Sequence, residues 1–234
     1  MVFDTGTRTE ATTDPAAESA IVATVTDVFV GTPGVIGTVR GRPVESAIAK
    51  VRVAAAEIEL DRVNLAGDRQ ADLTVHGGPD KAVYVYPHAH YATWRSEGFV
   101  LDVGGVGENV TLAGVTEQDV RLGDVWRWGG ALVQISQPRA PCYKLTLHTG
   151  RKDIGPRMLA TGRSGWYLRV VEPGTVPTAG PMTLVERTAG AATLRETFGV
   201  MFDAAYADEA TLDRVLASPA LAVSWRVSLE ARRG

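Results

Sequence analysis

The chain has 234 residues, 45% hydrophobic and 22% charged, a balance suited to a folded domain with a sizeable core. Its formal net charge of −3 gives no global basic field for nucleic acid, and no stretch reaches the ~20 unbroken apolar residues of a membrane span. A single cysteine, Cys142, excludes an intramolecular disulfide and leaves a structural zinc centre, which takes several thiolate or imidazole ligands, without support.

Residues 1–20 are rich in Thr, Ala and acidic side chains and carry no apolar h-region, so a flexible tail is expected and a signal peptide is not. Without an export signal or paired cysteines, the expected location is the reducing cytoplasm. Residues 21–187 then run as short β-type segments broken by Gly, Pro and Asp. The strand candidates are 21–30, 48–53, 55–60, 82–86, 120–122, 125–128, 131–137, 167–171 and 182–186. Ala66-Gly67-Asp68, Gly129-Gly130 and Pro173-Gly174 are turn signals between them. So many short strands, with no alternating strand–helix repeat, predict a mainly β barrel with a few peripheral helices. Pro87 is placed to open a helix over 87–97, and 152–161 reads as a second helix.

Residues 188–234 change character and predict a small three-helix C-terminal domain. Thr193 and Glu196 have capping-box spacing, in which the two side chains satisfy orphan backbone donors. Asp208 can cap a helix over 209–217, where Leu212, Val215 and Leu216 fall at helical spacing. Ser218-Pro219 is placed to open the third helix, with Leu221, Trp225 and Leu229 on one face. Three such helices cannot hold a large core alone. They are expected to dock on the barrel or on a second subunit, which leaves a homodimer open.

Cys142 follows a strand-like run in the segment from Ser136 to Leu145. Pro138 and Pro141 restrict the backbone ahead of it, and Arg139 and Lys144 lie within a few residues. Nearby positive charge stabilises thiolate over thiol, and the thiolate attacks electrophiles or binds soft metals. A lone cysteine is otherwise a small buried hydrophobe, which needs neither the prolines nor the cations. Three further segments combine polar groups with glycine: Ser46 to Lys50, Gly67 to Tyr84, and Gly104 to Thr111. Asp68, Asp72 and Asp80 lack the spacing of a calcium loop. His88 and His90, two apart on a predicted helix, diverge and read as surface or packing residues. Trp126, Trp128 and Trp166 read as core or rim aromatics.

Taken in order, these segments resemble the MOSC family, named for the C-terminal domain of molybdenum cofactor sulfurases. More narrowly they are similar to its bacterial YiiM-type branch, associated with resistance to 6-N-hydroxylaminopurine. The motifs are SAIAK at 46–50, HGGPDKAVYVYPHAHYATW at 76–94, GEN at 107–109, QPRAPCYKL at 137–145, GRSGWY at 162–167 and EPGTV at 172–176. The resemblance covers about residues 21–230 and includes the C-terminal helices. Val106 and Val110 depart from the branch, which favours Phe before GEN and Leu after it.

The resemblance implies a β-barrel holding the molybdenum cofactor (molybdopterin), with Cys142 as the thiolate ligand of the metal and the catalytic residue. It implies cofactor contacts from Lys50, His76, Glu108, Asn109, Arg139, Lys144 and Arg163. Arg69 and Lys81 read as solvated loop charges. The implied activity is reduction of N-hydroxylated small molecules, such as hydroxylaminopurine-type base analogues, to amines. No iron–sulfur, flavin or nicotinamide fingerprint is present, so the electrons are expected from a separate reductase. No lysine lies in a recognisable pyridoxal phosphate motif, and that cofactor is not expected. Two other readings stay open: sulfur transfer through a Cys142 persulfide, and a non-catalytic molybdenum cofactor carrier.

Overall fold

A computed structural model describes residues 21–71, 77–206 and 208–233. The first β segment forms β1 (Val22–Val30), followed by β2 (Gly34–Val39), β3 (Arg42–Ser46), β4 (Val51–Arg52) and β5 (Glu57–Leu60). Next come β6 (Val83–Pro87), α1 (Ala89–Ser96), β7 (Val110–Ala113), β8 (Val125–Trp128) and β9 (Ala131–Pro138). Helices α2 (Tyr143–Thr149) and α3 (Ile154–Thr161) precede β10 (Trp166–Glu172), β11 (Gly174–Pro177) and β12 (Gly180–Glu186). The C-terminal helices are α4 (Leu194–Phe202), α5 (Glu209–Ala217) and α6 (Val223–Arg233).

Seven strands close into a barrel in the order β12-β8-β9-β10-β6-β7-β1, with β1 pairing back onto β12. Neighbours are antiparallel except β6 and β7. That parallel pair needs a long crossover, which α1 and the loop after it provide. In β1 the alternation of buried Ala23 and Val25 is broken by a register shift against β7 between Val25 and Asp27. The extra residue turns Val28 back to the core face, as a bulge must when side chains alternate with a period of two.

The interior is filled by Trp126, Trp128, Trp166, Val133, Ile135 and Leu168 from the barrel. Leu194, Phe198, Val215, Trp225 and Leu229 from the C-terminal helices belong to the same apolar cluster. Those helices therefore dock on the barrel of their own chain, and the Ala222 N–H donates to the Ser136 carbonyl at 3.0 Å. A second cluster, with Tyr84, Tyr86, Tyr91, Trp94, Leu145 and Met158, ties α1, α2 and α3 to β6. No helix among the described residues is long and apolar enough to cross a membrane.

Local signals placed the caps well. Thr193 and Glu196 form a complete capping box at α4, and Asp208 accepts from the Thr211 N–H at 2.8 Å to start α5. Other expectations shift. Pro87 ends β6, because pairing with β7 continues through Pro87 opposite Leu112 and the His88 N–H bonds the Leu112 carbonyl. The helix starts two residues later, at Ala89. Residues 120–122 form no strand: Val120 and Leu122 are buried, but Arg121 makes only an isolated bridge to Thr193. The segment 48–53 contracts to Val51–Arg52, since the chain from Ser46 to Lys50 turns toward the cleft described below. The third C-terminal helix begins at Val223, after a turn whose Ser218 carbonyl is bound by Arg226. The β2–β3 hairpin escapes sequence reading because Arg40-Gly41 makes its two-residue turn, with φ of 50° and 76°, in place of the usual Asn-Gly or Asp-Gly.

Candidate functional site

The end of β9, the start of α2, the turn from Ser46 to Lys50 and the loop from Val106 to Asn109 meet around an open cleft. It encloses about 710 Å³, its mouth included. Cys142 borders it at the N-cap position of α2, half-buried and with extended backbone (φ −123°, ψ 167°). An extended residue entering a helix turns the chain sharply, so the thiol stands at the junction of barrel and helix.

Arg139 also lines the cleft and is only 5% exposed. Its Nη1 lies 3.5 Å from Met158 Sδ, and its guanidinium lies 5.3 Å from the centre of the Tyr84 ring. Burial works against its charge, but Tyr84, Tyr167 and Cys142 around it outweigh that and hold the guanidinium above the ordinary arginine value. The Lys50 side chain is 7% exposed, with Nζ 2.5 Å from Asp68 Oδ1. The same oxygen accepts the Gly31 N–H at 2.8 Å. Burial lowers the Lys50 value below that of an ordinary lysine, against the opposing pull of Asp68 and Glu108. Burial likewise lowers Lys81, at the cleft lip.

Among the described lining residues, the cations are Lys50, Arg69, Lys81, Arg139 and Lys144, and the carboxylate is Asp68. In a chain of net charge −3 this is a concentrated positive field. The cleft can bind an anion and offer it one soft ligand. Among the described residues no group of three or more His, Cys, Asp or Glu could hold a metal ion. A metal in this cleft would therefore bring other ligands with it. An anionic organic cofactor carrying a soft metal meets both conditions, and the residues present fit such a group.

The sequence-predicted residues divide by position. Lys50, Asn109, Arg139, Cys142 and Lys144 are brought together at the cleft. The Asn109 amide is engaged with backbone: Oδ1 accepts the Tyr84 N–H at 3.1 Å, and Nδ2 donates to the Phe29 carbonyl at 3.2 Å. Glu108 lies behind the lining, fully buried. Its Oε1 accepts from the Tyr91 hydroxyl, from the Gly104 N–H at 2.9 Å and from the Thr111 hydroxyl at 3.0 Å. Its Oε2 is buried with no hydrogen-bond partner among the described residues. Arg163 points elsewhere, onto Glu97 at 2.6 Å and over the Trp94 ring at 4.1 Å. His76 falls outside the described residues.

Sequence reasoning missed Asp68, Tyr84 and Tyr167 as cleft residues; Arg69 and Lys81 also line the cleft, Arg69 exposed as a solvated charge would be and Lys81 half-buried. Tyr84 and Tyr167 stand opposite each other in the β6–β10 register, a pairing that no local signal announces. A buried lysine beside a buried aspartate is the signal that could have found Asp68, but only once the two segments are known to meet.

Comparison with known proteins agrees with this geometry. The MOSC domain model matches residues 72–182. Protein YiiM of Escherichia coli (strain K12) is 40% identical over 199 residues, 82% of this chain and 86% of that protein. A Gibberella moniliformis protein named as a reductase is 35% identical over 126 residues, 52% of this chain and 22% of that protein. The crystal structure of YiiM from Geobacillus stearothermophilus superposes with a TM-score of 0.75 at 33% identity, covering 91% of this chain and all of that one. The chain belongs to the MOSC family and, within it, to the YiiM branch.

Proposed function

We propose that the protein is a molybdenum-cofactor-dependent reductase that converts N-hydroxylated small molecules, hydroxylaminopurine-type base analogues among them, to amines. The observation that carries this reading is the Cys142 thiol at the edge of a cleft where five cations face one carboxylate. Membership of the MOSC family fits a molybdenum-cofactor-related role, and the relative named as a reductase supports the direction of the chemistry.

When bound, the cofactor would supply two-electron redox chemistry at a metal held by soft sulfur ligands. Cys142 would be the protein's own ligand to that metal. Arg139, Lys50 and Lys144 would hold the anionic groups of the cofactor, with Arg139 suited to a planar, two-point contact. Because Arg139 and Lys50 are nearly enclosed, their charges act through a medium poorer in water and bind an anion more strongly than surface cations do. Asp68 holds the Lys50 ammonium at the cleft wall. Tyr167, half-buried in that wall, gives it a flat apolar face against which a planar base can lie, while the Tyr84 ring lies under Arg139.

In the overall reaction the N–O bond breaks and the hydroxyl oxygen leaves as water. The nitrogen remains as an amine, and two electrons and two protons are taken up. A separate reductase in the cytoplasm provides the electrons. Neither nucleic acid nor a membrane has a part in this reading, and pyridoxal phosphate has no role in it.

The test compares wild type with Cys142→Ala, both purified from a host that makes molybdopterin and supplied with an electron donor. The variant should lose molybdenum and N-hydroxy reduction while its melting temperature moves by no more than about 2 °C, since the residue is half-exposed. A variant that keeps metal and turnover defeats the proposal. A transferable persulfide on wild-type Cys142 would replace it with sulfur transfer, and full molybdenum content without turnover would replace it with a carrier role.

A further inference from the structure

Behind the cleft, Glu117 is 4% exposed and both its carboxylate oxygens are engaged. Oε1 accepts the backbone N–H groups of Ser164 at 3.1 Å and Gly165 at 2.7 Å. Oε2 lies 2.7 Å from His90 Nε2. The two peptide groups belong to the turn from Gly162 to Gly165, which joins α3 to β10. Without Glu117 both N–H groups would be buried without that acceptor, a costly state for backbone donors.

The same turn grips the backbone of Arg139 from both sides. The Ser164 hydroxyl donates to the Arg139 carbonyl, and the Arg139 N–H donates to the Gly165 carbonyl at 3.0 Å. Other contacts remove the turn's remaining freedom. The Tyr84 hydroxyl donates to the Ser164 carbonyl at 2.9 Å, and the Tyr86 hydroxyl to the Arg163 carbonyl at 3.2 Å. Gly165 has φ of 68°, and a Cβ there would come within 2.3 Å of the Val85 carbonyl, so the turn is pressed against β6 with no space to give.

Arg139 needs this support because, among the described residues, no carboxylate pairs with its guanidinium. Its side chain rests on a long contact to Met158 sulfur, on the Tyr84 ring and on the Tyr167 hydroxyl. Neutral contacts of this kind hold a cation less firmly than an ion pair does, so its position depends also on its backbone. We propose that Glu117 is a positioning residue for the cleft: through the Ser164–Gly165 turn it fixes the Arg139 backbone and so keeps the guanidinium beside Cys142. The inference deepens the proposed function by naming the residue that builds its principal cation site, and it rests on that reading only for the importance of Arg139.

The test uses the full chain without cofactor and measures alkylation of Cys142 at one pH by iodoacetate and by iodoacetamide. Both reagents consume the same thiolate, so the ratio of their rates cancels thiolate abundance and reports the positive potential beside the sulfur. Arg139→Gln should lower the ratio roughly fivefold and Glu117→Ala roughly threefold, while Ser164→Ala falls between Glu117→Ala and wild type. Glu117→Gln should keep most of the ratio, because its amide oxygen still accepts from the turn. In the Arg139→Gln background, Glu117→Ala should add nothing.

Wild-type ratios in both Glu117→Ala and Ser164→Ala overturn the proposal. So does an unchanged ratio in Arg139→Gln, or a Glu117→Ala effect that persists without Arg139. If circular dichroism shows that Glu117→Ala does not fold, Ser164→Ala decides alone, and a wild-type ratio there is the overturning result. Failure of the wild-type protein to load molybdenum would sink the proposed function and leave this measurement untouched.

Discussion

Arginine is used differently at two sites of the fold. Beside β8, Arg187 lays its guanidinium on Asp124, whose side chain is fully buried, through contacts of 2.9 and 2.6 Å. Asp124 also accepts the Arg121 N–H at 2.8 Å, so charge and hydrogen-bonding capacity are both satisfied inside the protein. In the cleft, Arg139 is more deeply enclosed than Arg187, yet it is surrounded by Tyr84, Tyr167, Met158 and Cys142. The first arrangement cancels charge and needs nothing from outside. The second leaves positive charge that an incoming anion can neutralise, a desolvated arrangement found at functional sites far more than at structural ones.

Five substitutions at four positions can break or sharpen that contrast. Asp124→Ala should have the largest effect on stability, about 3 kcal/mol, because it strands a partly buried arginine. Urea unfolding measures the loss, and molybdenum content of the folded variant should match wild type. A loss of metal without a loss of stability would erase the distinction between the two sites. Arg139→Gln should do the reverse, keeping most of the stability while weakening retention of the anionic cofactor by about one to two decades. Arg139→Lys should recover part of the retention, since it keeps the charge but not the planar fork. If metal content after purification and dialysis is unchanged in both, Arg139 does not serve the cofactor.

A smaller change is expected from Lys144→Ala. Lys144 is half-exposed at the cleft rim, where water screens its charge, so retention should fall only about threefold. A loss as large as that of Arg139→Gln would mean that burial does not govern the strength of these contacts.

The smallest effect concerns Glu108. Burial pushes its carboxyl above the ordinary value of 4.5, overriding the donors from Tyr91, Gly104 and Thr111. A raised value in the fold means that the neutral form is favoured there. Its stabilisation is complete below the unfolded-state value and is lost as pH rises through the folded one. Glu108→Gln should therefore flatten the decline of stability with pH above 4.5, as read from urea midpoints across a pH series. An unchanged slope would assign the decline to other groups.

Much of the fold was legible because its signals are local. The capping box at Thr193 and Glu196, the Asp208 cap and the turn at Gly129-Gly130 each depend on a few adjacent residues. Errors arose where a distant strand decided the outcome. Pro87 suits a helix start by itself, yet pairing with β7 draws it into β6. Val120 and Leu122 alternate like a strand, yet they pack as buried side chains on a turn because Asp124 binds the Arg121 N–H and Arg187.

The candidate site divides along the same line. The sequence by itself determined that Cys142 has two prolines and two cations as near neighbours, and that the chain folds as a β-barrel with helices behind it. Those properties rest on covalent adjacency and on the period of short strands. Only the tertiary structure decided which charges face Cys142. Barrel closure brings Lys50 and Asp68 to the cleft, sets Tyr167 opposite Tyr84, and turns Arg163 away onto Glu97. Glu117 reaches Arg139 only through a turn contributed by a later part of the chain. Such contacts follow from strand order and register, which local propensity does not encode.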